Sequence, residues 1–436
     1  MQLLLQQIIV LFLALISYEH EAKADLELPY TSFLFPVNKH TDAAQPVYSI
    51  TIMTPYVNNT FQNPKFLIDI DAPFTWHDCL LLWNRYGENI CPSNKLCTSP
   101  VSCEEYQCSD VRTTYSYHAP SCPVVTNSYT LPGWGLYTCP VNVINPVTGI
   151  CSHAGLNFDT FEANTSDGTN PFPFYQDIIV NAACAPSTSF ESFPVNVSGV
   201  MAFSTSPYAL PASFFQSELK TSLALCLPSN SSAPGILFFG SGPFYLLPHS
   251  DIDVRSLLSY TPLLKHPDSF GYFVGADDII IRGRSLNISG NMTTKLSTTE
   301  PYTTLRTDIY DRMVRRFSKV TKRMPLTSPV APFGLCFRTL KNETGDGLKV
   351  PEIDLSLRNG KNWTISTANS MKRITNDVAC LAFVDGGAIS EHGIVIGTFQ
   401  LEDNFLLLDL QNSTIGFSSS LLTKETSCAN FNFTNS

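Results

Sequence analysis

The chain carries the same order of signals twice, and this duplication limits what it can fold into more than any other feature. In the first half, the apolar run Phe66-Leu67-Ile68 ends in an acidic turn, Asp69-Ile70-Asp71. It is followed by Ser198-Gly199-Val200-Met201-Ala202-Phe203 and then by a weak helical signal from Pro211 to about Lys220. In the second half, Lys295-Leu296-Ser297-Thr298-Thr299 is followed by a clear helical signal and later by His392-Gly393-Ile394-Val395-Ile396-Gly397. The two apolar-plus-glycine segments read as strands buried on both faces. The clear helix rests on Leu305, Ile309, Met313 and Phe317 recurring every four residues, with Arg312, Arg315, Arg316 and Lys319 between them and Pro325 beyond the end. Elsewhere, short segments rich in Val, Ile, Phe, Tyr and Thr alternate with turn residues, and 30 Pro and 23 Gly leave little room for long helices. Phe405–Leu410 and Thr414–Phe417 flank an Asn412-Ser413 turn, a hairpin signal. With 436 residues the chain is long enough for two cores. The expectation is an all-β fold of two related lobes, each with an isolated helix in a similar relative position.

The N-terminus reads as an export leader. Ile8–Ile16 is a short apolar core, and Ala22-Lys23-Ala24 gives the small-x-small pattern before cleavage, so residues 1–24 are expected to be removed. The n-region lacks Lys and Arg, and the competing reading is a buried N-terminal helix. No other apolar run reaches the roughly 18 residues that cross a bilayer. Thirteen cysteines fit an oxidising compartment, where they form disulfides rather than metal sites; close paired spacings for zinc are absent. Cys336 and Cys380, both in the second half, are expected to pair, which sends Cys428 back toward the first half. The odd count leaves one thiol free, expected in the Cys91/Cys97 region, or joining two chains that are otherwise monomers. Ten Asn-x-Ser/Thr sequons, at Asn58, Asn164, Asn196, Asn230, Asn287, Asn291, Asn342, Asn362, Asn412 and Asn432, are expected to carry glycans on exposed turns. Charged residues are only 15%, so attached sugar and Ser, Thr and Asn would keep the surface wet. A net charge of −10 argues against nucleic acid or anionic membrane as a partner.

At this point the residues carry a family. Ile394-Val395-Ile396-Gly397, Leu408-Asp409-Leu410 and Ile415-Gly416-Phe417-Ser418 resemble the closing block of pepsin-like aspartic proteases. Pro301–Leu305, Ala331–Cys336, Gln400–Asn404 and Cys428–Phe433 resemble plant extracellular dermal glycoproteins, which group with the TAXI-type xylanase inhibitors and the xyloglucan-endoglucanase inhibitor proteins. The likeness spans nearly the whole mature chain and is loosest between Leu80 and Cys151. It implies a bilobal pepsin-like fold of two β-barrel-like lobes, here residues 25–255 and 256–436, with a cleft between them, secretion to the plant cell wall, and often inhibition of glycoside hydrolases.

Active members of the wider fold carry Asp-Thr/Ser-Gly twice, because two carboxylates about 3 Å apart must share a proton and activate a water. Here Asp69-Ile70-Asp71 keeps one acid, and Ser297-Thr298-Thr299 is read as losing every defining residue, so the second acid is lost at Ser297. Side chains at Asp71 and Thr299 are expected to crowd a close backbone approach that glycine would allow. Asp71 is read as an exposed or hydrogen-bonded turn residue, and Asp385-Gly386-Gly387 as a non-catalytic turn. There is no metalloprotease, nucleophile-elbow or phosphate-loop motif, and no cofactor is expected.

For an inhibitor, a cationic or imidazole side chain on a rigid loop suits a glycosidase cleft with its two carboxylates. In the xylanase inhibitors a histidine shortly before the last cysteine does this, but Leu422–Cys428 has none here. The endoglucanase inhibitors use loop arginines, so Arg323 and Lys424 are the target-binding candidates, the latter weakened by the adjacent Glu425. Three readings stay open: a dead, secreted protein that inhibits a glycoside hydrolase; a binding or storage glycoprotein with a peptide or carbohydrate partner; and an aspartic endopeptidase with residual activity.

Overall fold

The computed structural model describes residues 29–57, 60–81, 96–113, 138–214, 219–246, 252–288, 292–339, 348 and 350–433. The chain divides into two units, 1–30 and 31–436, and the fold belongs to the second. The expected leader, Cys91 and the sequons at Asn58, Asn291 and Asn342 lie outside the described residues.

The duplicated signals become duplicated strand arrangements. Strand Lys65–Asp69 runs parallel to Val197–Ala202, which in turn pairs antiparallel with Thr75–Asp78. In the second half, Met292–Leu296 runs parallel to Ile394–Ile396, which pairs antiparallel with Thr303–Leu305. Phe66, Val200 and Leu296 are fully buried, which is why these segments read as near-continuous apolar runs rather than as alternating ones. The glycine in each repeat has a packing reason. A Cβ at Gly199 would lie 2.2 Å from the Phe66 ring, and one at Gly397 would lie 2.4 Å from the Tyr302 backbone.

A six-stranded antiparallel run joins the halves, in the order Ser32–His40, Gly235–Gly240, Ser222–Cys226, Phe405–Asp409, Thr414–Phe417 and Ser259–His266. Three strands come from each side of residue 255. The seam is Ser222–Cys226 against Phe405–Asp409, and every residue of both strands is buried. Beside it, Phe238, Phe244, Phe405 and Phe431 pack ring against ring at 5.0–5.6 Å. The Cys226–Cys428 disulfide fixes the C-terminal segment to this core.

Both helices signalled by the sequence are shorter than their signals imply. The clear one spans Thr307–Val320, with Ile309, Met313 and Phe317 fully buried. Leu305 is not in it: it ends strand Thr303–Leu305, and the helix starts only after extended Arg306. The Pro211 signal yields only Leu210–Ser213, and residues 215–218 lie outside the described set. Its counterpart by position is Thr398–Leu401, which likewise follows the buried parallel strand, and not the helix at Thr307. The helix Tyr106–Thr113, which the sequence reading missed, occupies the Thr307–Val320 position in the first half.

Four disulfides join Cys79–Cys184, Cys108–Cys139, Cys226–Cys428 and Cys336–Cys380. Cys97 is also disulfide-bonded. Among the described residues the free thiol is the exposed Cys103, not Cys97. Asn196, Asn230, Asn287, Asn362, Asn412 and Asn432 are exposed, whereas Asn164 is half-buried within strand Cys151–Ser166 rather than on an open turn. Among the described residues no helix is long and apolar enough to cross a membrane, and no side-chain cluster is arranged to hold a metal.

Candidate functional site

The two turns that follow the parallel strands meet at the floor of a cleft of about 750 Å³. Each turn is closed by its first side chain. Asp69 Oδ1 accepts from the backbone N–H of Asp71 at 2.8 Å and of Ala72 at 3.1 Å. Ser297 Oγ accepts from the N–H of Thr299 at 3.2 Å and of Glu300 at 3.0 Å. The same i+2 and i+3 donors are used, so Ser297 stands in the second turn where Asp69 stands in the first. The turns are also tied to each other. Thr298 Oγ1 donates to Ile68 O at 2.7 Å and accepts from Ile70 N–H at 3.2 Å. Thr298 was counted among the lost positions by motif, but its buried hydroxyl is in use. Ile70, the matching position in the first turn, has no hydroxyl with which to return the contact.

Asp71 and Thr299 fill the space that glycines would leave open rather than forcing the turns apart. The Asp71 carboxylate turns toward the second half, where Ser269 Oγ donates to it at 2.6 Å and the Lys295 ammonium forms an ion pair with it. Thr299 Oγ1 lies 3.1 Å from Ser297 Oγ. The result is one carboxylate facing a hydroxyl, with a neighbouring carboxylate already bound to a cation.

Burial, reinforced by the Asp71 charge, pushes the Asp69 carboxyl up from 3.8 to about 6, against the pull of its two backbone donors and of Lys295. Burial also raises Glu300 and lowers His392, both on the cleft wall. His392 packs edge-on to His266 at 5.3 Å, and His266 stacks on Phe273.

A hairpin that the sequence reading did not single out overhangs the same cleft. Strand Pro140–Ile144 pairs with Cys151–Ser166, and Asn145 pins the turn between them. Its Oδ1 accepts from Val147 and Thr148 N–H at 2.9 and 3.1 Å, and its Nδ2 donates to Ser189 O and Ser192 Oγ, both at 2.9 Å. The Asn145-Pro146 pair was the available signal. Ile144 and Ile150 at the turn are exposed.

The remaining sequence candidates lie apart from the turns. Asp385 accepts from Thr307 Oγ1 at 2.7 Å and from Gly387 N–H at 2.9 Å, holding the start of the Thr307–Val320 helix. Arg323 is exposed just after that helix, on a groove it shares with Arg282, Lys319, Lys322 and Arg338. Lys424 is exposed at the end of the short helical turn Leu421–Lys424, and Glu425 beside it takes the left-handed conformation at φ 57°.

The family model described as "Xylanase inhibitor N-terminal" matches residues 50–241, and "Xylanase inhibitor C-terminal" matches residues 271–419. Among curated relatives, "Gamma conglutin 1" of Prunus dulcis is 37% identical over 84% of this chain and 83% of its own length. "Chitinase CLP" of Oryza sativa subsp. japonica is 34% identical over 77% of this chain and 81% of its own. A solved structure titled "Crystal structure of edgp" superposes with a TM-score of 0.77 at 30% identity, covering 94% of this chain and all of that one. Two paired turns on parallel strands, a six-stranded seam and both family models in order along one sequence lead to one conclusion: the chain belongs to the xylanase-inhibitor-type family of pepsin-fold proteins.

Proposed function

We propose that this is an exported, glycosylated and catalytically inactive pepsin-fold protein that binds and inhibits a cell-wall-degrading glycoside hydrolase, such as a xyloglucan-specific endoglucanase or a xylanase, in plant defence. The observation that carries the inactive reading is the cleft floor. Ser297 fills the position that mirrors Asp69, and the extra carboxylate, Asp71, is engaged by Lys295. A hydroxyl at Ser297 has no carboxylate proton to share with Asp69, so no acid–base pair forms around a water. Support for an inhibitory role comes from the two xylanase-inhibitor-type models covering both halves. Arg323 and Lys424 are the proposed contacts to the target's carboxylates, and the lobes divide near residue 255. The protein is proposed to act as a monomer in the apoplast; the free thiol among the described residues, Cys103, is exposed and is where two chains would join. The second reading, a binding or storage glycoprotein, is favoured by the conglutin name of one relative.

The test is titration of the secreted, glycosylated protein against a panel of xylanases and endoglucanases, with proteolysis of a denatured substrate followed at acid pH alongside. Saturable inhibition of one hydrolase without proteolysis is the expected result. Pepstatin-sensitive proteolysis overturns the inactive reading. Silence in both assays moves the assignment to binding or storage.

A further inference from the structure

The chain is acidic, yet six of its 27 Lys and Arg residues fall within residues 312–323. Arg312, Arg315 and Arg316 are committed to the carbonyl oxygens of Asn287, Asp311 and Ile281. Lys319, Lys322 and Arg323 are exposed and face a groove of about 1180 Å³, to which Arg282 and Arg338 bring two more guanidiniums from other elements. The described residues lining it include no acid. None of the five cations has an ion pair or side-chain hydrogen bond among the described residues.

We infer that this groove binds a linear acidic polysaccharide, with its uronate carboxylates on the five cations and its sugar rings against Val320, Pro325, Val350 and Pro351. Like-charged side chains clustered with no ion pair among the described residues, on a net-negative chain, repel one another, and a polyanion relieves that repulsion. The groove is larger than the roughly 300–1,000 Å³ that suits a compact ligand, and its charges come from separate elements, so an extended chain with repeating charge fits better than a single anion. An acidic peptide would bring main-chain N–H and C=O groups that need partners, and Pro325 and Pro351 have no N–H to offer. The C–H faces of sugar rings make no such demand. The groove shares Arg323 with the proposed hydrolase contact, so its test leaves Arg323 in place and reads polysaccharide binding rather than inhibition.

The experiment measures binding of the full secreted protein to a size-defined oligogalacturonate at low and at physiological salt. The methyl-esterified oligomer and poly-glutamate serve as controls. The triple variant Arg282→Asn, Lys319→Gln, Lys322→Gln removes three of the cations, and Lys361→Glu, an exposed cation outside the groove, is the reference. Expected are saturable binding that weakens with salt, at least tenfold loss in the triple variant with an unchanged unfolding temperature, no loss in the Lys361 variant, and no binding of the ester. Absence of binding by the unmodified protein overturns the inference, as does equal binding by the triple variant. Tighter binding of poly-glutamate reassigns the groove to acidic peptides and overturns it too.

Discussion

Replacing Asp69 by Asn should stabilise the protein at neutral pH and leave it almost unchanged in acid. Asp69 is an acid whose folded-state pKa is raised, from 3.8 to about 6. The stability that comes with its proton is therefore fully present below the unfolded value and is lost as pH rises through about 6. A shift of about 2.2 units corresponds to about 3 kcal/mol between the two protonation states. Asn is neutral at every pH and keeps an Oδ1 for the Asp71 and Ala72 N–H groups. Relative to the parent, the variant should gain about 1 kcal/mol at pH 4.5 and about 3 kcal/mol at pH 7.5, the attraction to Lys295 being already contained in the shift. Urea unfolding of both proteins with disulfides intact, at those two pH values, reads the difference directly. Titrating groups remote from Asp69 cancel between parent and variant, so the change in the difference with pH reads Asp69 and its coupling to Asp71. A difference that stays flat from pH 4.5 to 7.5, or a variant less stable than the parent at pH 7.5, would refute the claim that this carboxyl is held protonated by its surroundings.

Lys295→Met removes the cation next to both acids, so the same pH-linked loss of stability should move above pH 6, read from the same unfolding series. Thr298→Val leaves Ile68 O and Ile70 N–H buried without their partner and should cost about 1–3 kcal/mol in chemical unfolding; an unchanged midpoint would show the contact to be idle. Ser297→Asp supplies a second carboxylate with two backbone donors waiting, yet acid proteolysis should stay absent because Asp71 and its ion pair with Lys295 remain where active members carry a glycine. Cys226→Ser with Cys428→Ser opens a cross-link between residues 202 apart and should lower stability by about 3–5 kcal/mol, measured by denaturant midpoint.

What the sequence made legible was local. The strand Lys65–Asp69 and the strand Ile394–Ile396 could be read because both faces are buried and the apolar run is short. The helix Thr307–Val320 could be read because Ile309, Met313 and Phe317 share one face. Its start was misplaced because Leu305 happens to continue that spacing while belonging to a strand paired with Phe383–Asp385 and Ile394–Ile396. Tertiary pairing settled the matter, as it did for the Pro211 signal, which stops after four residues. The seam between Ser222–Cys226 and Phe405–Asp409 joins segments nearly two hundred positions apart, and nothing in either segment names the other. Thr298 was miscounted as lost although it is the middle residue of the Asp-Thr/Ser-Gly pattern; only its partners, Ile68 and Ile70, 230 and 228 positions away, were beyond local reading. Cys103 was missed because spacing alone does not say which sulfur lacks a neighbour.

The site shows why an acid is easily lost here without loss of fold. The turn at residue 297 requires an acceptor for two backbone N–H groups, and a serine hydroxyl meets that need as a carboxylate does. The tie between the turns is made by Thr298, one residue further on, and is indifferent to what stands at 297. The catalytic demand is narrower, because sharing one proton around a water needs a second carboxylate. Structure and chemistry thus place separate requirements on the same position. The structural one is met, and the Asp71 carboxylate beside Asp69 is held in an ion pair with Lys295. The cleft remains held at its floor by hydrogen bonds from both halves.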